Sequence, residues 1–330
     1  MTKILVCGST GFMGRNIMEF FLKDSEYKDS ECEVIGTSFT SSLSSSSFPK
    51  DVKIYPVDLT YPDQVQALFK TIKPDIVIQA AAVTSGSKDI VERPYIHTTD
   101  NAVMNSLILR ACYDFDVKHF VFLSCGVMYQ PGEESRSEED FNESDVIHPN
   151  YFGVGWTKVY IEKMCEFYSR LGKTKHTVIR HSNTYGPYDK YDLEHSHMFG
   201  ATVRKVMEAK DGDTITVWGN GEETKRDLLY VDDVVRCIDI VLKEQEETFE
   251  LINVGYGYAY SVKEVVEAIV EVSGKKIDIV YDSSKPVIPT SLALDSSKAK
   301  KKYGWFPQIH LQEGIKKTID WYKKYYNIGI

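Results

Sequence analysis

The 330-residue chain is 42% hydrophobic and 26% charged, a balance that supports a substantial buried core and excludes wholesale disorder. A formal net charge of -9 repels a polyanion, and the densest basic run, Lys298 to Lys302, reads as a solvated helix face, so no nucleic-acid partner is expected. The six cysteines are scattered without metal-site spacing, and no apolar run reaches the roughly 18 residues of a membrane span, so the expectation is a cytoplasmic, non-membrane protein without a metal.

In chain order, Lys3 to Cys7 predicts a short buried strand, Gly8 to Gly14 a glycine-rich turn and Asn16 to Leu22 the opening of a helix. Further strands are predicted at Glu33 to Gly36, Lys53 to Pro56, Ile76 to Gln79, Phe120 to Leu123 and Thr177 to Ile179. Helical patterns at Pro62 to Ile72, Asn101 to Asp114 and Thr157 to Leu171 separate most of them. Apolar strands without alternation, joined by helices, predict an α/β fold, a Rossmann-like doubly wound parallel sheet covered on both faces. The serine-rich stretch Ser38 to Ser47 reads as a mobile surface loop. From Ser182 the pattern turns mixed: a helix at Met198 to Ala209, a strand at Thr214 to Val217, a turn at Gly219 to Gly221 and a terminal helix at Gln312 to Tyr325. The expected division is a dinucleotide-binding domain over 1–181 and a smaller mixed α/β substrate lobe over 182–330, with 229–254 returning to the first domain.

Gly8-Ser9-Thr10-Gly11-Phe12-Met13-Gly14 lies between a predicted strand and a helix. There one glycine makes the turn, one admits a pyrophosphate to the backbone and one permits close helix packing, while the helix N-terminus supplies N–H donors. Asp58-Leu59 follows the third strand, where a carboxylate can accept from an adenine amino group. Ala80-Ala81-Ala82 follows the fourth, where small side chains let a cofactor lie against the strand end. At the end of the second strand no acidic residue or arginine stands near Ser38. A serine can bond a ribose hydroxyl, whereas a 2′-phosphate there lacks a cationic partner, so NAD is expected, with NADP the alternative.

Together these segments resemble the extended short-chain dehydrogenase/reductase family, also called the NAD-dependent epimerase/dehydratase family. Three later runs sharpen the resemblance: Arg180-His181-Ser182-Asn183-Thr184-Tyr185-Gly186-Pro187, Val217-Trp218-Gly219-Asn220-Gly221 and Arg226-Asp227-Leu228-Leu229-Tyr230-Val231-Asp232-Asp233. They are similar to signatures of nucleotide-sugar enzymes, and the resemblance implies that Asn183 and Arg226 hold a sugar diphosphate, with Val203, Trp218 and Lys285 as further substrate contacts. A guanidinium suits that role through bidentate, charge-assisted bonds; a surface salt bridge to Asp227 or Asp232 is the bland alternative. The run from Asn183 to Asp189 followed by Ser196-His197-Met198 resembles the GDP-fucose-synthase group, in which the position of His197 is a catalytic acid. Homodimers or higher homo-oligomers through two long helices are also implied, here Asn101 to Asp114 and Thr157 to Leu171.

The family's chemistry uses a Y-x-x-x-K pair, but here the segment is Val154-Gly155-Trp156-Thr157-Lys158: the lysine is present and the tyrosine is not. Cys125 stands at the usual hydroxyl position and Val127 at that of the epimerising cysteine. A positioned acid or base contributes ~10²–10⁴ in rate, so these changes predict altered chemistry. Tyr151, His197 and Cys125 compete as replacements for the missing phenol, although Pro149, Asn150 and Gly153 predict a loop around Tyr151. The resulting expectation is hydride transfer at C4 of a nucleotide sugar, GDP-linked hexose or heptose, as a 4-ketosugar reductase or 4-dehydrogenase. The alternatives are a ligand-binding family member without turnover, and a 4-epimerase or 4,6-dehydratase. A dehydratase would lack its usual Asp-Glu pair, since Gly126 and Val127 occupy those positions.

Overall fold

The computed structural model describes residues 1–29, 32–39, 48–84, 87–285 and 287–328. Most of the serine-rich stretch expected to be a mobile loop, residues 40–47, lies outside them, as does Pro286. The chain opens with strand β1 (Thr2–Cys7), helices α1 (Phe12–Lys23) and α2 (Ser25–Asp29), and strands β2 (Cys32–Ser38) and β3 (Ile54–Pro56). There follow α3 (Pro62–Ile72), β4 (Ile76–Gln79), α4 (Ser87–Glu92), α5 (Thr99–Asp114), β5 (His119–Cys125), α6 (Phe152–Ser169), β6 (Lys175–His181) and β7 (Asn183–Tyr185). The rest comprises α7 (Met198–Glu208), β8 (Thr214–Trp218), β9 (Lys225–Tyr230), α8 (Val231–Glu244), β10 (Phe249–Val254), β11 (Ala259–Ser261), α9 (Val262–Ser273), β12 (Asp278–Asp282), α10 (Ser297–Tyr303) and α11 (Leu311–Tyr325).

Among the described residues seven strands form one sheet in the order β10-β6-β5-β4-β1-β2-β3, and every neighbouring pair is parallel. Unbroken apolar runs fit this, because both faces are covered: Leu5, Val77, Phe120, Phe122 and Val178 pack toward α3, α5 and α6, and Ile4, Val6, Ile78, Val121, Leu123 and Ile179 toward the opposite side. The second cluster continues without a break through α7, α8 and α9 to Ile319 and Tyr322 of α11, so the C-terminal segment shares its core with the sheet. Two smaller sheets, β11-β9-β7 and β12-β8, carry the later motifs.

Local chemistry sets several boundaries. Pro62 begins α3 and Lys73, in the left-handed region at φ 51°, ends it. Ser261 and Glu264 form a reciprocal capping box at the start of α9. The loop expected around Tyr151 is a correction: a 3-10 turn at Pro149–Tyr151 runs directly into α6, which begins at Phe152 rather than Thr157 and takes Gly153 into the helix. Its glycines serve close approach. A Cβ at Gly153 would lie 2.8 Å from the Thr98 methyl, and one at Gly155 3.0 Å from Ile147.

Candidate active site

The strand order reverses between β1 and β4, and the carboxyl ends of these two strands meet at the glycine-rich turn, the place where open α/β sheets bind ligands. Gly8 has φ +75°, and a Cβ there would fall 2.6 Å from Ala81 Cα; one at Gly14 would fall 2.2 Å from the Gly8 carbonyl oxygen. Both are glycine because the fold leaves no room. Gly11 differs: its Cβ would meet only the Gly8 oxygen, at 3.4 Å. It caps α1 without a side-chain hydrogen bond, and the first amides of the helix have no acceptor inside it. Open space over unpaired N–H groups at a helix N-terminus is the form that a diphosphate fills, so the residues present fit a dinucleotide. The turn is anchored from behind, where Gly8 N–H donates to Thr37 Oγ1 (2.9 Å) and buried Ser9 donates to the Thr37 carbonyl through both its amide and its hydroxyl.

The other expected cofactor residues surround this turn. Thr10 is exposed, Phe12 and Met13 are half-buried on the first turn of α1, and Ser38 closes β2. Ala80 and Ala81 are half-buried and Ala82 exposed after β4. Asp58 spends one carboxylate oxygen locally, on the Thr60 amide (3.0 Å) and hydroxyl (2.7 Å). The Leu59 side chain is buried in the core, so only its backbone can face a ligand.

At the carboxyl edge of β5, Lys158 reaches from α6 and donates to the Leu123 carbonyl (2.8 Å), 4.7 Å from the Phe122 ring centroid. It has no salt-bridge partner among the described residues, and burial pushes its ammonium below the usual lysine range, opposed by Cys125 and Glu162. Lys158 is held there by a buried pair one helical turn on: Glu162 and Arg180 meet at 2.6 Å with 3% and 4% of their side chains exposed. Ser124 donates to Glu162 (2.5 Å), and Arg180 to the Tyr129 hydroxyl (2.8 Å), which in turn donates to Asn253 (2.9 Å). This network, which the sequence motifs did not reveal, clamps α6 to β5 and β6.

Cys125 lies beside Lys158 and in register with His181 of β6. Burial pushes its thiol above the usual range, which makes it a poor source of thiolate. Tyr151 caps α6 two turns before Lys158; its ring centroid lies 5.7 Å from that of His148, against a separate apolar cluster around Met128, Tyr129 and Ile147. Among the described contacts its hydroxyl meets neither Lys158 nor Cys125.

The later motifs converge on the same edge. Asn16 of α1 donates to the Pro187 carbonyl (2.8 Å), and Lys190 to the Thr84 carbonyl beyond β4 (2.6 Å). His197 caps α7 and is accessible, yet so enclosed by protein that burial, with Lys190, Arg226 and His97 adding to it, pushes its imidazole down to about 4. Asn183 is exposed. Arg226 rests on backbone carbonyls at Lys225 (2.8 Å), Thr290 (2.7 Å) and Ile288 (3.2 Å), and forms no ion pair among the described residues. The salt-bridge alternative to Asp227 or Asp232 is thereby corrected, since Asp227 instead accepts from the amides of Tyr256, Gly257 and Leu294. Trp218 and Lys285 are exposed at the β12-β8 end of the lobe. Val203 is a second correction: its side chain is fully buried in α7 and has no surface for a substrate. A concavity of about 370 Å³ lined by Tyr256, Lys300, Phe306, Pro307 and His310 holds none of these groups.

The family model described as NAD dependent epimerase/dehydratase family matches residues 4–255. The chain belongs to that family. Members similar over nearly the whole length include GDP-L-colitose synthase of Yersinia pseudotuberculosis, 27% identical with 97% of each chain covered. GDP-L-fucose synthase of Sinorhizobium fredii is 31% identical over 80% of this chain and 84% of its own. Among solved structures, UDP-glucose 4-epimerase of Thermus thermophilus in complex with NAD superposes with a TM-score of 0.83 at 26% identity, covering 98% of this chain and 99% of that one. That of Thermotoga maritima with UDP-glucose gives 0.84 at 25%, covering 98% and 100%. These proteins act on nucleotide sugars, and the chain is accordingly a nucleotide-sugar enzyme of this family.

Proposed function

We propose that the protein transfers hydride between NAD, with NADP as the alternative, and C4 of a GDP-linked hexose or heptose, as a 4-ketosugar reductase or 4-dehydrogenase. The observation that carries this reading is Lys158: a buried ammonium without a salt-bridge partner among the described residues, held against the carboxyl end of β5, two strands from the β1 that carries the glycine turn. An unneutralised cation there suits the hydroxyls of a nicotinamide ribose. The coenzyme supplies hydride acceptance or donation when bound. Gly11 and the first amides of α1 would hold its diphosphate, Ser38 and Asp58 its adenosine, and Ala80 to Ala82 its flank. Arg226, without an ion pair among the described residues, and Asn183 would hold the sugar diphosphate, with His197, Trp218 and Lys285 around the sugar and base. The names of the GDP-colitose and GDP-fucose relatives favour guanosine over uridine.

The protein is proposed to be cytoplasmic, in keeping with the absence of any helix long and apolar enough to cross a membrane among the described residues. It is further proposed to form a homodimer through α5 and α6, which expose Val103, Tyr160 and Phe167. Val154 and Val127, apolar where the family carries reactive groups, favour a second reading in which both ligands bind without turnover.

Mixing the protein with NAD and GDP-mannose, or NADH and GDP-4-keto-6-deoxymannose, while following absorbance of the reduced nicotinamide separates the two. The proposal expects a change that Lys158→Ala lowers by ~10²-fold or more. Calorimetric binding of both ligands with no absorbance change for any GDP- or UDP-sugar would establish the second reading instead.

A further inference from the structure

Val154 leaves hydride transfer without the family's phenol as proton partner, and one imidazole stands at the strand edge where Lys158 is held. We infer that Nε2 of His181 is the group that exchanges the proton with the sugar C4 oxygen. This rests on the hydride-transfer function proposed above.

Strand phase directs the side chain to the site. Alternation along β6 sends Arg180 toward α6, where it pairs with Glu162, and His181 to the opposite face. There His181 is the register partner of Cys125 on strands ~4.8 Å apart, two residues beyond the Leu123 carbonyl that holds Lys158. The imidazole is also oriented. Its Nδ1 lies 2.8 Å from the Ser182 carbonyl, which can only accept, so Nδ1 carries the proton and Nε2 presents a lone pair. Thr184 Oγ1 at 3.0 Å braces the same nitrogen, whereas Nε2 has no hydrogen-bond partner among the described residues.

Lys158 is the one charged group among the described residues that bears on His181, and burial together with that cation keeps the ring unprotonated, pushed down to about 4. Cys125 faces it from β5, and Thr184 from β7. The other candidates are placed differently. His197 feels Lys190, Arg226 and His97 rather than Lys158, so it belongs to the substrate-diphosphate side, and Tyr151 packs in its separate cluster.

In the oxidative direction the sugar C4–H bond breaks with its electron pair passing to NAD, and the C4 hydroxyl O–H bond breaks with its proton passing to Nε2. The C4 ketone forms, and the imidazolium takes up the positive charge that the nicotinamide ring loses. Reduction is the reverse, with NADH and the imidazolium as donors. Because the protonated ring is scarce at neutral pH, the 4-dehydrogenase direction is the better served one.

Two measurements test this. The first is single-turnover NADH formation from NAD and GDP-mannose across pH 4 to 8 in wild type and His181→Asn, whose amide can replace the Nδ1 donor. The expected result is a wild-type rate flat above pH 6 that falls toward pH 4, and a variant rate ~10²–10⁴-fold lower without that acid limb, at unchanged NADH affinity by fluorescence. The second is diethyl pyrocarbonate labelling of the wild type at pH 6, read by mass spectrometry, in which His181 is modified in the free protein and protected by NAD with GDP-mannose. Equal rates in variant and wild type, or labelling of His181 unaffected by the ligands, would overturn the assignment alone. No NADH from any sugar nucleotide with the wild type would remove the reaction itself, and this role of His181 with it.

Discussion

Three glycines of one turn answer to different physical demands, and substitution separates them. At Gly14 a methyl group would overlap the Gly8 carbonyl oxygen at 2.2 Å, a clash between backbone atoms that only displacement of α1 could relieve. At Gly11 the same methyl meets that oxygen at 3.4 Å, and the residue has an ordinary φ of -82°. Gly11→Ala is therefore expected to cost about 1 kcal/mol of stability or less, the scale of a weakened helix cap. The added methyl would nevertheless take up part of the open space at the start of α1. Fluorescence titration with NADH is expected to show at least a tenfold loss of affinity, against a melting temperature within a few degrees of wild type. Equal affinity in the two proteins would mean that no diphosphate comes close to this turn.

At the scale of elements, the active edge depends on how α6 is fixed to the sheet. The Glu162–Arg180 pair is buried and bonded further to Ser124 and Tyr129, so removing one partner leaves a charge without compensation. Glu162→Gln is expected to destabilise the protein by about 3–5 kcal/mol in denaturant unfolding, whereas Glu162→Leu with Arg180→Met should recover much of that loss. A fall under 1 kcal/mol for the single variant would show that the pair is not the clamp. The central strands were legible in the sequence because a sheet covered on both faces demands unbroken apolar runs. Their ends were not: His119 and Ser124 extend β5 in both directions, and each is tolerated only because Thr177 and Glu162 await it on neighbouring elements. Pro149, Asn150 and Gly153 suggested a loop because sequence spacing does not show that Thr98 presses against the helix at Gly153. His181 lay in plain view inside a quoted motif. Its significance depends on strand phase and on the register with Cys125, neither of which periodicity reveals.

At the scale of the whole molecule, buried ionisable groups make stability depend on pH in opposing ways. His119 and His176 stand at the amino ends of β5 and β6, away from the active edge, both buried and both pushed down to about 4. His176 Nε2 has no hydrogen-bond partner among the described residues. Because the folded value lies below the ordinary 6.5, their contribution is present above pH 6.5 and is lost as pH falls toward 4. Asp189 acts with the opposite sign. Its carboxyl is pushed up to about 7 by burial, against the pull of Lys190, so its contribution is present below the ordinary 3.8 and disappears as pH rises through 7. His181 and His197, also pushed down to about 4, add to the first effect, so it outweighs that of Asp189 and the melting temperature of the wild type is expected to fall from pH 7.5 to pH 5. Substitution exposes each one. His176→Phe keeps a ring against Phe120, whose centroid lies 5.7 Å away, and removes one acid-labile group. Relative to wild type it should gain about 2 kcal/mol on moving from pH 7.5 to pH 5. Asp189→Asn should lose stability relative to wild type over the same step. Unfolding by urea at the two pH values measures both differences, and a His176→Phe curve that runs parallel to wild type would show that the imidazole is not held neutral by the fold.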